Sequence, residues 1–264
     1  MLKLIIHISK GFSLMGVVLT VLLSCGITYA QSEYAGRGGG GAYNSVYRIE
    51  CPDQNKAGTA FGHKSGRIIT SEHVIQGCDI KYLRVISSTG VITGVNSLVM
   101  DAAYDLALLI PTIDDFVKVP LDITSESAFI VGAQVSTWGF PEGYQNLMPL
   151  LTVGYLAGSD EDKSNPGIVV KKWIVNGAFN RGNSGGPVLE TKTGKVFAVI
   201  SGKLAPMPKN LENSLHKIEK EGSLEGQTIA KILNHVGKQT QLVIGYATLT
   251  EDLRRFLKDN GVEP

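Results

Sequence analysis

Asn180-Arg181-Gly182-Asn183-Ser184-Gly185-Gly186-Pro187-Val188 sets one serine in a turn of glycines and small polar residues that runs straight into an apolar strand. Glycines at 182, 185 and 186 suit a turn whose amides converge on one spot, because unusual φ/ψ angles and close approach of a second molecule both exclude side chains. The segment also satisfies Gly-x-Ser-x-Gly, yet Pro187 opens a strand where a hydrolase elbow would need a helix. A serine hydroxyl is a poor nucleophile near neutral pH and needs an imidazole beside it. The turn therefore directs the search upstream, to a histidine and to a carboxylate that could orient it.

Two segments answer. In Arg67-Ile68-Ile69-Thr70-Ser71-Glu72-His73-Val74 an apolar strand ends in a polar turn that presents His73. In Ala103-Tyr104-Asp105-Leu106-Ala107-Leu108-Leu109-Ile110-Pro111 an acid stands immediately ahead of a second apolar strand, which would desolvate it; Asp101, Asp114 and Asp115 lack that placement. The chemistry then distributes itself: Ser184 as nucleophile, His73 as general base, Asp105 to fix the imidazole tautomer. The amides of Gly182 and Ser184, with Asn183 completing the turn between them, are the candidates for stabilising a tetrahedral oxyanion, at about 3 kcal/mol per donor. The order His, Asp, Ser is the one found on β-barrel folds. His63, His216 and His235 read as ordinary surface or core residues, and Trp138 and Trp173 as packing residues.

Composition agrees and excludes alternatives. The 264 residues carry Lys+Arg 25 against Asp+Glu 24, a formal charge of +1, which gives no drive toward nucleic acid or an acidic membrane surface. Hydrophobic residues at 43% and charged residues at 19% rule out disorder as the main state. Thirty-one Gly against ten Pro suits short strands and tight turns. Apolar stretches recur at Ser45–Ile49, Gly58–Phe61, Arg67–Thr70, Leu83–Ile86, Leu106–Ile110, Ala133–Thr137, Val169–Val175, Val188–Leu189 and Val196–Ile200, the rhythm of an all-β sandwich or a pair of barrels. Helical spacing appears only from Asn210 to about Lys238 and again over Thr250–Lys258, the latter opened by Thr250. No His, Asp or Glu cluster has metal-ligand spacing, and no cofactor is expected.

Residues 1–30 read as an export signal, with Phe12–Leu23 apolar and small residues at Thr28-Tyr29-Ala30, so the mature chain starts near Gln31 in the periplasm or outside the cell. The competing reading takes Leu22-Leu23-Ser24-Cys25 as a lipidation box and anchors the chain to a membrane through Cys25. Residues 31–42, rich in glycine, form a tether, and the folded part spans 43–264. Export makes Cys51 and Cys78 an even pair in an oxidising compartment; a bridge closing their 27-residue separation would contribute about 3 kcal/mol, the other reading being two buried thiols.

Taken together, Ile69-Thr70-Ser71-Glu72-His73-Val74, Asp105-Leu106-Ala107-Leu108-Leu109, Trp138-Gly139-Phe140-Pro141, Thr152-Val153-Gly154, Asn180–Pro187 and Ile244-Gly245-Tyr246-Ala247 resemble a trypsin-like serine protease, and more narrowly the protease domain of the HtrA/Deg family of exported endopeptidases. The resemblance implies an all-β fold of two six-stranded barrels, the first over about 43–120 and the second over about 125–250, with His73 and Asp105 in one and Ser184 in the other. It implies polypeptide substrates and leaves a homo-oligomer open. It also puts the floor of the primary specificity pocket six residues before the nucleophile, at Ala178, with Phe179, Asn180 and Ser201 as walls. A small neutral floor favours cleavage after small or medium apolar residues. Two features depart from the family: no PDZ domain is expected in cis, and residues 207–239 form an extra helical insertion before the C-terminal helix at about 250–258. The alternative function is a weakly active or inactive protease fold acting as a chaperone or binding module.

Overall fold

Runs of aliphatic and β-branched residues punctuated by glycine, asparagine and aspartate fold as strands. The computed structural model describes residues 41–125, 130–162, 169–203, 209–239 and 243–264, and holds thirteen strands among them. The export signal, Cys25 and all of the tether up to residue 40 lie outside the described residues.

The first sheet contains β1 (Val46–Cys51), β2 (Lys56–Gly62), β3 (Ile68–Thr70), β4 (Arg84–Ile86), β5 (Ile92–Thr93), β6 (Val95–Asp101) and β7 (Leu106–Pro111), in the order β5-β4-β1-β2-β3-β7-β6. The second contains β8 (Gln134–Gly139), β9 (Leu150–Asp162), β10 (Val170–Asn176), β11 (Pro187–Glu190), β12 (Val196–Lys203) and β13 (Ile244–Leu249), closed in the order β10-β13-β12-β11-β8-β9. The two-barrel architecture is as expected; the first sheet counts seven strands and is not sealed by a continuous ladder. The reason is a bend. Only Gly94 separates β5 from β6, and Thr112 holds it there, donating its amide to the Gly94 carbonyl and accepting the Gly94 amide on Oγ1, both at 3.1 Å. Counted as one bent strand, β5 and β6 bring the two ends of the sheet order together, and the barrel is nearly closed.

Two cores belong to single barrels, one around Tyr47, Ile68 and Leu109 and one around Trp173, Phe197 and Ala247. A third joins them: Phe61, Ile69 and Leu106 of the first barrel meet Leu189 and Val199 of the second, together with Leu253, Phe256 and Leu257. Ala42 is buried in it as well, so the fold begins inside what reads as tether.

Four α-helices are described. The single turn α1 (Glu72–Ile75) replaces the expected polar turn around His73. The insertion folds as two helices, α2 (Lys209–Glu221) and α3 (Leu224–Gln239), because Gly222-Ser223 breaks the helical run and the Gly222 amide closes α2 on the Ile218 carbonyl at 2.9 Å. At α4 (Thr250–Asp259) the capping position belongs to Leu249; the Thr250 hydroxyl donates to the Phe197 carbonyl and anchors the helix to β12 instead. None of these helices is long and apolar enough to cross a membrane. Cys51 and Cys78 form a disulfide, with Cα atoms 5.9 Å apart, joining the end of β1 to the segment just after α1.

Candidate active site

His73 is held through its backbone before its side chain matters. β3 ends at Thr70, whose hydroxyl donates to the Thr59 carbonyl at 2.7 Å, and the next hydroxyl, Ser71 Oγ, crosses to the second barrel to reach the Ile200 carbonyl at 2.8 Å. The chain then turns once as α1, burying Val74 and Ile75. Such a short helix leaves its carbonyls without helical partners. Lys56 supplies them, its Nζ lying 3.2 Å from the His73 carbonyl and 2.8 Å from that of Gln76. Neighbouring Glu72 is buried, and that burial, followed by the charge of Asp105, pushes its carboxyl pKa up, while His73 and Lys56 oppose the shift.

Asp105 occupies a left-handed backbone conformation, φ +55°, uncommon outside glycine. Its turn is closed by Asp101, whose Oδ1 accepts the amides of Ala103 at 3.0 Å and Tyr104 at 3.3 Å. The result aims the Asp105 carboxylate at His73: Oδ1 accepts the His73 amide at 2.9 Å, and both oxygens lie 2.9 Å from Nδ1. An ionised carboxylate only accepts, so the proton belongs on Nδ1 and Nε2 is left with its lone pair. The imidazole side chain is 43% exposed and the carboxylate 18%, so the pair is open on its histidine side.

The serine turn is stitched to both barrels. The Thr59 amide donates to the Ser184 carbonyl at 2.9 Å, and Gly185 donates to the Ile200 carbonyl at 2.8 Å. Thr59 Oγ1 accepts the Phe140 amide at 3.1 Å and donates to the Gly182 carbonyl at 2.7 Å. The Arg181 carbonyl is taken by the Glu142 amide at 2.7 Å. In a trans peptide C=O and N–H point opposite ways, so this bond turns the Gly182 amide away from the loop that holds Glu142. Glycine is needed there: φ is +92° and a Cβ would collide with the Phe140 carbonyl oxygen. The amides of Gly182 and Ser184 have no hydrogen-bond partner among the described residues.

His73 and Ser184 line one cavity of about 560 Å³, whose wall includes Gly58, Gly182, Lys56 and Tyr144. Charge pairs ring it, Arg48 with Glu50 at 2.8 Å and Arg181 with Glu142 at 3.5 Å. No hydrogen bond joins His73 and Ser184 among the described residues. The grouping of metal-ligating side chains found among those residues, Cys51, Asp53 and Cys78, has its two sulfurs joined in the disulfide.

Several expected residues sit elsewhere. The Asn183 amide donates to the Asn180 carbonyl at 3.1 Å and is spent inside the turn, so Asn183 is no oxyanion donor. Phe179 is buried in the second barrel's core, packed where Gly245 leaves room for its ring, and is no pocket wall. Ala178 is exposed and Asn180 and Ser201 are half-buried, and none of the three lines the cavity. Thr59 was missed because in the sequence it is one polar residue inside the apolar run Gly58–Phe61; its complete burial is seen only in the structure.

A family model for the trypsin-like peptidase domain matches residues 57–199, more than half of the chain. The chain belongs to the trypsin-like peptidases. The match of this trypsin-like peptidase to "Protease Do-like 8, chloroplastic" of Arabidopsis thaliana runs at 29% identity over 157 residues, covering 54% of the chain but only 34% of that protein, so the chain spans about a third of the curated relative's length. Its fold is that of the Rv3671c protease of M. tuberculosis in its active form, with TM-score 0.60 and 18% identity over 84% of this chain and 83% of that one. It is equally that of the HtrA-type protease AlgW with tripeptide, with TM-score 0.60 and 17% identity over 84% and 61%.

Proposed function

We propose that this trypsin-like peptidase is an exported endopeptidase that cleaves polypeptides through His73, Asp105 and Ser184. Ser184 Oγ attacks the scissile carbonyl carbon as its proton passes to His73 Nε2. Asp105 stabilises the resulting imidazolium, and the amides of Gly182 and Ser184 receive the negative oxygen. Collapse breaks the C–N bond, the leaving amine takes the proton from His73, and water repeats the sequence on the acyl-enzyme. The observation carrying the reading is the contact of His73 Nδ1 with both Asp105 oxygens beside a cavity that Ser184 shares. Ala178 lies outside the cavity that His73 and Ser184 share, so the preference for small or medium apolar residues rests on its sequence position alone, a small neutral residue six places before the nucleophile.

A fluorophosphonate probe tests the nucleophile. Folded wild type is expected to label at neutral pH and Ser184→Ala to remain unlabelled; an unlabelled wild type would leave a protease fold that binds without cutting. Digestion of a mixed peptide library reads the preference, and cleavage mainly after Lys or Arg would overturn the pocket assignment.

A further inference from the structure

The carbonyl immediately ahead of Asp105 is held from the opposite barrel. Thr248 Oγ1, on β13, donates to the Tyr104 carbonyl at 2.9 Å. Lys172 Nζ, on β10, donates to Thr248 Oγ1 at 2.8 Å and reaches the Tyr104 carbonyl at 3.4 Å. Lys172 and Thr248 stand directly opposite each other on neighbouring strands, so one cross-strand pair forms the contact. Tyr104's ring is covered too: the Arg255 guanidinium of α4 lies 4.1 Å from its centre, steadied by Asp252 at 2.8 Å.

The lysine is an unusual occupant of a barrel wall. It is only 6% exposed, and burial pulls its pKa down while Asp105, Asp162, Asp252 and Asp101 pull it back up. An apolar side chain there would avoid the desolvation penalty of a cation. What the ammonium accomplishes follows from hydrogen-bond valence. Lysine only donates, so it occupies a lone pair of Thr248 Oγ1 and leaves that hydroxyl's single proton for Tyr104. Bonds chained in this way strengthen one another in a low-dielectric seam. The peptide so held leads into a residue at φ +55°, a conformation that persists only where its surroundings enforce it. Asp101 enforces it from within the first barrel, and Thr248 with Lys172 enforces it from the second.

We propose that Lys172 and Thr248 are positioning residues, which hold the Tyr104 carbonyl and thereby aim the Asp105 carboxylate at His73, tying the base to the docking of the two barrels. The inference rests on the triad proposed above. Thr248→Val keeps shape and removes the donor, Lys172→Met keeps length and removes the charge, and Thr248→Ser restores the hydroxyl. In the two disruptive variants kcat is expected to fall at least about tenfold with KM little changed, the scale of one lost buried hydrogen bond, and Thr248→Ser to recover most of it. Proton NMR of the folded proteins reads the same contact without turnover: the downfield His73 Nδ1–H resonance is expected in wild type and Thr248→Ser and shifted or lost in Thr248→Val and Lys172→Met. Wild-type kcat and an unmoved resonance in both disruptive variants would overturn the inference, as would a fall in melting temperature with the resonance intact. An inactive wild type whose resonance still responds to these variants would overturn the proposed reaction and uphold the positioning role.

Discussion

Asp105 carries more of the site's geometry than any other side chain, accepting the amide and the ring proton of the same histidine. Asp105→Asn preserves size but replaces an acceptor-only group by one that also donates, which favours the wrong imidazole tautomer. The expected outcome is a drop of about four orders of magnitude in kcat at neutral pH, read from peptide turnover. Gly182→Ala tests the oxyanion turn separately. Its Cβ would meet the Phe140 carbonyl and lie 2.8 Å from the Glu142 nitrogen, so the peptide must rotate; kcat is expected to fall at least about a hundredfold, with fluorophosphonate labelling slowed in parallel. These residues were legible in the sequence because nucleophile, base and carboxylate must be particular residue types in local settings that one chain segment displays. Thr59 and Lys56 were not, since their work is to bond backbone carbonyls that any sequence would carry.

Elements were legible where burial and residue type agree, as in β3 and β7, which are almost wholly apolar. β6 escaped because Asn96 and Ser97 interrupt its apolar run, Val99 and Met100 are exposed rather than buried, and a register shift between Val95 and Ser97 breaks the alternation. β9 escaped over most of its length because glycines and a run of acids interrupt it; Gly154 is required where β9 passes so close to β10 that a Cβ would strike the Asn176 carbonyl. The helical insertion shows the opposite case, a strong periodic signal with little consequence for the barrels. α2 and α3 pack chiefly on each other, burying Leu215 and Ala230, with Asn234 donating to Glu219 at 3.0 Å. Lys203 of β12 pairs with Gly245 of β13, so a short loop can join those strands directly. Replacing residues 207–239 by such a loop is expected to leave melting temperature and labelling rate unchanged, which differential scanning calorimetry and the probe would show.

At the scale of the molecule, two features set the conditions under which the fold holds together. His63, 1% exposed, bridges the first barrel to Leu121 of the inter-barrel segment, and burial, with Lys64 and Arg67 adding to it against Asp122, lowers its pKa from 6.5 to about 4. The unfolded chain therefore takes up a proton between those two values that the folded protein refuses, and stability falls as pH drops from about 6.5 to about 4. Melting temperature is expected to decline through that window in wild type and to decline less in His63→Gln. The Cys51–Cys78 bridge closes a 27-residue loop that contains β2, β3 and α1; replacing both cysteines by alanine is expected to lower unfolding free energy by about 3 kcal/mol in urea titrations. Lastly, Leu253, Phe256 and Leu257 of α4 fill the core that both barrels share, and α4 follows both of them along the chain. The seam between the two halves is thus completed by a segment that follows both in sequence, and a protein truncated after Leu249 is expected to melt at a lower temperature and to lose probe labelling.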